Sequence, residues 1–289
     1  MSGTSRSLKT RAWSVAQPVV ETFGRVGSQR RALPDFLIVG AQRCGTTSLH
    51  EWLSHDPAVR FPRLRKGVHY FDTNYERGLL WYRSQFPTKR AMEAVATRHG
   101  VARLGEASPY YLFHPAVPAR VQSVLPDAQL IAILRDPVSR AWSHYLHEQR
   151  RGFETSSFVD ALDAESERLA DADRNDFLRA DFVSYEHQHH SYVARGRYSE
   201  QLEHWFSVTG RDRWCVLFDR DLYATDGRTR ADVRSFLGLD PSGGGEFPRA
   251  NATRSEAMPA DARARLVEAL AGESERIADL LGRNPGWSV

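Results

Sequence analysis

The sequence predicts a three-layer α/β domain with a mostly parallel central sheet flanked by helices. Phe36–Val39, Leu130–Leu134 and Trp214–Phe218 are short, continuous apolar runs, the pattern of strands covered on both faces. The first two stop at a polar turn and are followed by apolar residues at helical spacing. These are Leu49, Trp52 and Leu53 after the first run, and Val138, Ala141, Trp142, Tyr145 and Leu146 after the second. Strands then alternate with helices along the chain without any repeat, which is the order of a parallel sheet with helical crossovers.

The 289 residues carry 39 Lys and Arg against 36 Asp and Glu. Such a balance excludes a general nucleic-acid coat and implies that positive charge is used locally. Cys44 and Cys215 are the two cysteines, too few for a disulfide framework or a structural zinc site. No apolar run approaches the roughly 18–20 residues that span a bilayer. Ala12–Val20 is too short for a secretory core and is interrupted by Ser14, Gln17 and Pro18. These features predict a soluble, cytoplasmic protein. Residues 1–34 are polar and basic (Arg6, Lys9, Arg11, Arg25, Arg30 and Arg31 against Glu21) and read as a disordered arm closed by Pro34. Trp13, Val15, Val19, Val20 and Phe23 give the arm enough apolar character for peripheral membrane contact. Residues 35–289 form a single domain.

The first strand leads into Gly40-Ala41-Gln42-Arg43-Cys44-Gly45-Thr46-Thr47-Ser48. Strand, glycine turn and helix start together aim backbone N–H groups and a helix dipole at an anion. The spacing is that of a nucleotide-triphosphate loop, but Thr46 stands where such a loop has lysine, and the loop's cation is Arg43. Next, Phe61–Asp72 is irregular, with Val68–Phe71 as a short strand and His69 among aromatic residues, where a satisfied core histidine and a catalytic one are both open readings. Residues 75–100 are helical and aromatic-rich. Gly105–Tyr111 is a strand exit marked by Ser108-Pro109, and Pro115 and Pro118 open a helix ending near Pro126.

In the second informative stretch, Arg135 stands at the carboxyl end of a core strand, where open α/β sheets bind ligands. Asp136 is an N-cap and Pro137 occupies the first helical position. Residues 154–190 are acidic and mostly helical and read as a solvated insertion or lid. Its cluster His187-Gln188-His189-His190 lacks carboxylate or cysteine companions at metal spacing. Tyr198, Leu202, Trp205 and Phe206 mark a helix, a further helix at 231–237 is stopped by Gly238, and a last helix runs from Pro259 to Leu281 with Arg254 in the loop before it.

With both stretches in hand, the chain resembles the sulfotransferases that use 3′-phosphoadenosine 5′-phosphosulfate, in particular the branch of heparan-type and bacterial carbohydrate sulfotransferases. Gly40–Ser48 looks like that family's 5′-phosphosulfate loop, and Leu134–Ser143 like its 3′-phosphate motif; they lie about ninety residues apart, each after a core strand. Weaker likeness runs through His69–Asp72, Gly105–Pro109, Arg195–Tyr198 and Asn251 to the end of the chain. The resemblance implies a P-loop-like sulfotransferase fold with the 3′-phosphoadenosine 5′-phosphosulfate donor as cosubstrate and no metal. It implies donor contacts from Arg43, Cys44, Gly45, Thr46, Thr47, Ser48, Arg135, Ser143, Tyr198 and Arg254. The acceptor would be a hydroxyl or amine of a carbohydrate, glycolipid or other small molecule, not nucleic acid, and the product adenosine 3′,5′-bisphosphate.

Three positions depart from the family pattern. Arg43 replaces a frequent lysine, which keeps the charge but gives up acid capacity, so Arg43 acts electrostatically. Gly67 stands where the heparan-type branch has its glutamate base, and Ala107 replaces a lysine. The base is then His69, whose ordinary pKa of about 6.5 suits the task, or alternatively Glu106. Lys66 and Arg254 are further cations that face either ligand or solvent. Two other readings stand beside this one. A P-loop kinase requires a lysine and a Mg²⁺-binding acid that the loop does not offer, and a nucleotide-binding scaffold without a base is suggested by Gly67 and Ala107.

Overall fold

The computed structural model describes residues 27–62, 66–170, 172–224, 227–248 and 256–289. Arg254 and residues 1–26 of the arm lie outside the described residues. Five strands, β1 (Phe36–Gly40), β2 (Val59–Arg60), β3 (Arg103–Ala107), β4 (Gln129–Leu134) and β5 (Trp214–Phe218), form one sheet in the order β2-β3-β1-β4-β5. Every pairing is parallel.

Parallel neighbours cannot be joined by tight turns, so each connection crosses a face of the sheet. β1 leads through α1 (Thr46–Ser54) to β2. From there α2 (Gly78–Ser84) and α3 (Lys89–His99) lead to β3, and α4 (Val117–Val124) to β4. Between β4 and β5 come α5 (Pro137–Arg151), α6 (Phe158–Ala170), α7 (Tyr185–His189) and α8 (Tyr198–Thr209). The chain closes with α9 (Asp219–Leu222), α10 (Arg228–Phe236), α11 (Ala260–Ala269) and α12 (Glu273–Leu281).

β1 is central and all five of its residues are buried. From it the chain leaves toward β2 at one edge, while from neighbouring β4 it leaves toward β5 at the other. Right-handed crossovers place these two connections on opposite faces, which opens a crevice at the carboxyl ends of β1 and β4, the switch point where such sheets hold ligands. The glycine loop follows β1 and Arg135 follows β4, so both candidate anion-binding stretches reach this crevice.

Several local expectations are corrected. Val68–Phe71 is not a strand: His69 adopts a left-handed backbone (φ 53°), and its neighbours form a turn. Residues 75–100 break into a 3₁₀ turn and two helices. The last helix is two, α11 and α12, separated at Gly272 (φ 76°). The break lets the buried Glu273 carboxylate accept from the amide and hydroxyl of Ser199 at 2.7 and 3.0 Å, capping α8 from outside.

Residues 27–34, assigned to the arm by composition, pack on the domain. Ser28 is buried, the Ala32 amide donates to Pro87 O, and Arg31 bridges Thr88. The 154–190 segment is less solvated than its charge implies. Phe158 and Ala161 join Val138, Ala141, Trp142 and Tyr145 of α5 and Leu266 of α11 in a second apolar core. Glu154 and Glu165 are buried with partners: Arg168 donates to Glu154 at 2.7 Å, and the Val193 and Ala194 amides donate to Glu165.

Gly105 of β3 is required by close packing. A Cβ there would lie 2.2 Å from Phe36 Cζ and 2.6 Å from Phe61 Cε1. Gly105→Ala is expected to destabilise the fold by about 1–3 kcal/mol, the usual cost of overpacking a tight core. Chemical denaturation measures this; an unchanged midpoint would show that the rings yield freely.

Candidate active site

The loop after β1 is shaped by close approach and by glycine. A Cβ on Gly40 would sit 2.6 Å from Leu112 Cβ, and Gly45 caps α1 in the left-handed region (φ 98°). No side chain caps this nine-residue helix, so its first-turn amides keep their donor capacity for an anion. Around them, the Ser48 hydroxyl pairs with Tyr223 OH at 3.0 Å, and Lys66 Nζ donates to Thr47 Oγ1 at 2.6 Å. Thr46 and Cys44 are buried, and burial pushes the Cys44 thiol up to about 11, so it is a neutral donor and not a thiolate.

The second stretch is set by β4 and α5. Asp136 accepts from the Ser139 amide at 2.7 Å and Pro137 starts the helix, so Arg135 is the last residue before it. One turn further, Ser143 meets the glycine loop: Arg43 Nε donates to Ser143 Oγ at 3.0 Å. Burial lowers the Arg43 pKa, and the nearby guanidiniums of Arg150 and Arg135 lower it further. Arg135 itself lies 3.5 Å from Asp219, at the carboxyl end of β5.

Tyr198 and Arg195 brace the two stretches from below. The fully buried Tyr198 hydroxyl donates to Arg135 O at 3.0 Å and lies 3.6 Å from Cys44 Sγ. Arg195, also buried, donates to the Gln42 side chain and to His187 O and Gln188 O, and it stacks over Tyr110. Tyr198 and Cys44 thus stitch the floor of the crevice together and do not line it. Neither Gln42 nor Arg195 stands out in the sequence as a site residue; the only signal is that Arg195 sits in the Arg195–Tyr198 segment.

Lys66 and His69 share the segment that touches Thr47. Burial pulls the Lys66 ammonium down to about 8 against the weaker opposing pull of Glu51. The Asp72 carboxylate accepts from His69 Nδ1–H at 2.8 Å, an arrangement that puts the tautomeric proton on Nδ1 and makes Nε2 the proton acceptor. A Cβ on Gly67 would come within 2.8 Å of His69 Nε2. The imidazole therefore packs on a bare Cα, and a side chain at position 67 would compete for its space.

Glu106 is buried, and its oxygens accept from three hydroxyls: Tyr82 OH at 2.5 Å, and Ser108 Oγ and Tyr111 OH at 2.7 Å each. Burial raises its pKa and the three donors oppose the rise. A carboxylate so enclosed has no open approach for an acceptor hydroxyl, contrary to the reading of Glu106 as the alternative base.

In the histidine cluster, His189 pairs with Glu148 at 2.9 Å, His190 with Glu186 at 2.5 Å, and His187 with Tyr110 OH at 2.6 Å. Among the described residues, no group of three or more His, Cys, Asp or Glu side chains is arranged to hold a metal ion.

The crevice thus combines an uncapped helix start, clustered guanidiniums and a glycine loop without lysine. The sulfotransferase domain profile covers residues 33–258. The chain belongs to the sulfotransferase domain family. Human heparan sulfate glucosamine 3-O-sulfotransferase 6 is 32% identical over 213 residues, which span 74% of this chain and 54% of that protein. Human bifunctional heparan sulfate N-deacetylase/N-sulfotransferase 2 is 27% identical over 217 residues, 72% of this chain but 22% of that protein. The chain therefore spans about half or less of these relatives. A sulfotransferase structure from Alicyclobacillus acidocaldarius superposes with a TM-score of 0.64 at 28% identity, covering 88% of this chain and 97% of that one. The P-loop-like sulfotransferase fold expected from the two motifs is thus the fold observed. Among the described residues no helix is long and apolar enough to cross a membrane.

Lys66 gives the site a pH dependence. Its charged form is lost as pH rises through about 8, so affinity for an anion at the Thr47 end is full below that pH and declines above it. Adenosine 3′,5′-bisphosphate should bind up to about tenfold more weakly at pH 9 than at pH 7, and Lys66→Met should flatten the dependence. Isothermal titration measures both; a flat wild-type profile would remove Lys66 from the anion site.

Proposed function

We propose that the protein transfers the sulfuryl group of 3′-phosphoadenosine 5′-phosphosulfate to a hydroxyl or amine of a carbohydrate, glycolipid or other small acceptor. The observation that carries this is the Arg43–Ser143 contact, which joins the two anion-binding stretches in one crevice. The crevice fits such a donor: two anionic ends call for cations and amides from two segments, and the Arg43 guanidinium, depressed by burial and by the nearby Arg150 and Arg135, is relieved by a bound polyanion. The loop has no lysine for a γ-phosphate, which favours this donor over ATP.

In this reading the amides of Gly45–Thr47, with Lys66 and Arg43, hold the 5′ end, and Arg135 with Ser143 the 3′-phosphate. When bound, the donor supplies a sulfuryl group on a phosphate leaving group. Arg43 stays protonated and balances charge growing on the bridging oxygen. His69 Nε2 takes the proton of the acceptor hydroxyl, while Asp72 at Nδ1 holds the ring and favours the imidazolium that results. Gln42 and Arg195 support the donor site from its periphery, and Arg254, outside the described residues, is a further donor contact in this reading. A cytoplasmic location is supported by the two free cysteines, and peripheral membrane contact by the composition of the 1–34 arm. Co-sedimentation with anionic vesicles tests the latter: loss of binding on deleting residues 1–26 supports it, and binding that is absent or independent of the arm rejects it.

Incubation with labelled donor and a panel of glycans, glycolipids and phenols tests the reaction. Formation of adenosine 3′,5′-bisphosphate only with an acceptor is the expected result; ATP binding more tightly than the bisphosphate would favour a kinase. His69→Ala should lower kcat about 100- to 10,000-fold with bisphosphate affinity intact. Arg135→Ala should weaken bisphosphate binding by about 1.5–3 kcal/mol. An unaltered rate in the first variant, or an unaltered Kd in the second, would strike that residue from the site.

A further inference from the structure

Among the described residues the segment carrying His69 has no strand partner to satisfy its amides, yet the backbone N–H groups of residues 69–71 are all taken. The His69 amide donates to Ser108 Oγ at 3.0 Å, and the Tyr70 and Phe71 amides donate to Tyr111 OH at 2.8 and 3.3 Å. On the carbonyl side, the Asn74 side chain donates to His69 O at 2.9 Å and Arg120 donates to Phe71 O at 2.7 Å. The Ser108 and Tyr111 hydroxyls can accept from these amides only because their own protons go elsewhere. Both donate to the same atom, Glu106 Oε1, at 2.7 Å.

We infer that Glu106 is a positioning residue: from the end of β3, it orients two hydroxyls that pin the backbone of His69–Phe71 and so set the imidazole against Gly67. A hydroxyl has a single proton. With an anionic acceptor at Oε1, that proton is drawn away from the loop and the lone pairs face the three amides. With an apolar residue at 106 the hydroxyls turn, the amides lose their acceptors, and His69 loses the constraint that keeps it left-handed (φ 53°). Tyr82, on the other oxygen, closes the carboxylate from α2. The sheet thereby contributes a third strand end to the site: β1 and β4 hold the donor loops, and β3 holds the base segment through side chains.

This inference rests on His69 as the base for its effect on rate, but not for its effect on the backbone, and the two are tested separately. Glu106→Gln retains an accepting oxygen at Oε1, and its amide can donate to a rotated Tyr82 hydroxyl, whereas Glu106→Leu retains neither. Hydrogen exchange of the 69–71 amides, resolved by NMR, should be near wild type in Glu106→Gln and faster in Glu106→Leu. In Tyr111→Phe, which keeps the packing, it should be faster at residues 70 and 71 and little changed at 69. In donor-saturated assays Glu106→Gln should hold kcat within about tenfold, and Glu106→Leu should lose about 100-fold, the scale of a misplaced catalytic group, with bisphosphate Kd unchanged in both. If Glu106→Gln is as inactive as His69→Ala while exchange is normal, Glu106 acts as the base and the inference falls. Unchanged exchange at residues 70 and 71 in Tyr111→Phe overturns it even if Glu106→Leu does not fold. Full activity of His69→Ala would reject the base assignment alone and leave the exchange result to decide the pinning.

Discussion

The contact between Arg43 and Ser143 depends on a constraint set far from any ligand: β1 and β4 are neighbours, and the chain leaves them in opposite directions. Only that arrangement brings a glycine turn and the start of α5 to the same crevice. Once there, the cations impose their own requirement. Arg43 is depressed by burial and then by Arg150 and Arg135, so the crevice gathers positive charge that a polyanion stabilises well. Tyr198 and Arg195 keep the two loops from separating under that repulsion, through the Arg135 carbonyl and the Gln42 side chain.

The His69 segment answers a different problem. An irregular stretch near a sheet edge must find partners for its backbone groups or lose them to water. Here side chains from the loop after β3, from α4 and from the turn after His69 supply those partners, which a paired strand would otherwise have done. The outcome is a segment rigid enough to hold a left-handed histidine, whose ring then fills the space above Gly67. Loss of a side chain at position 67 and the placement of His69 are thus one structural fact.

Helix α5 serves both halves of the molecule. Ser143 faces the crevice, while Arg140, His144 and Glu148, spaced by four residues, are fully buried on another face. Burial alone would push the Glu148 carboxyl up, but His144, 3.5 Å away, and His189, hydrogen-bonded at 2.9 Å, outweigh it and hold the group well below the usual carboxylate range. His189 comes from α7, so this buried charge ties the acidic 154–190 segment to the helix that carries Ser143. Arg120 links the same segment to the His69 segment, donating to Phe177 O and Arg179 O as well as to Phe71 O. What composition marks as a solvated insertion is therefore anchored at two points beside the site.

The sequence alone determined the sheet's core strands, the glycine loop, the capped start of α5 and the family, because each rests on local physics. Apolar runs of strand length, a glycine with positive φ, and Asp-Pro at a helix start are written in neighbouring residues. Tertiary structure decided the rest. Val68–Phe71 looked like a strand because its residues favour one, and only the hydroxyls of Ser108 and Tyr111, about forty residues away, draw its amides into a turn. The same is true of Glu106, the alternative base by sequence, whose three buried donors only the packed chain brings together. By sequence Lys66 faces either ligand or solvent, and Arg195 is marked only by its segment. Their roles come from burial against Thr47 and Gln42, and burial is a property of the packed chain that no local pattern encodes.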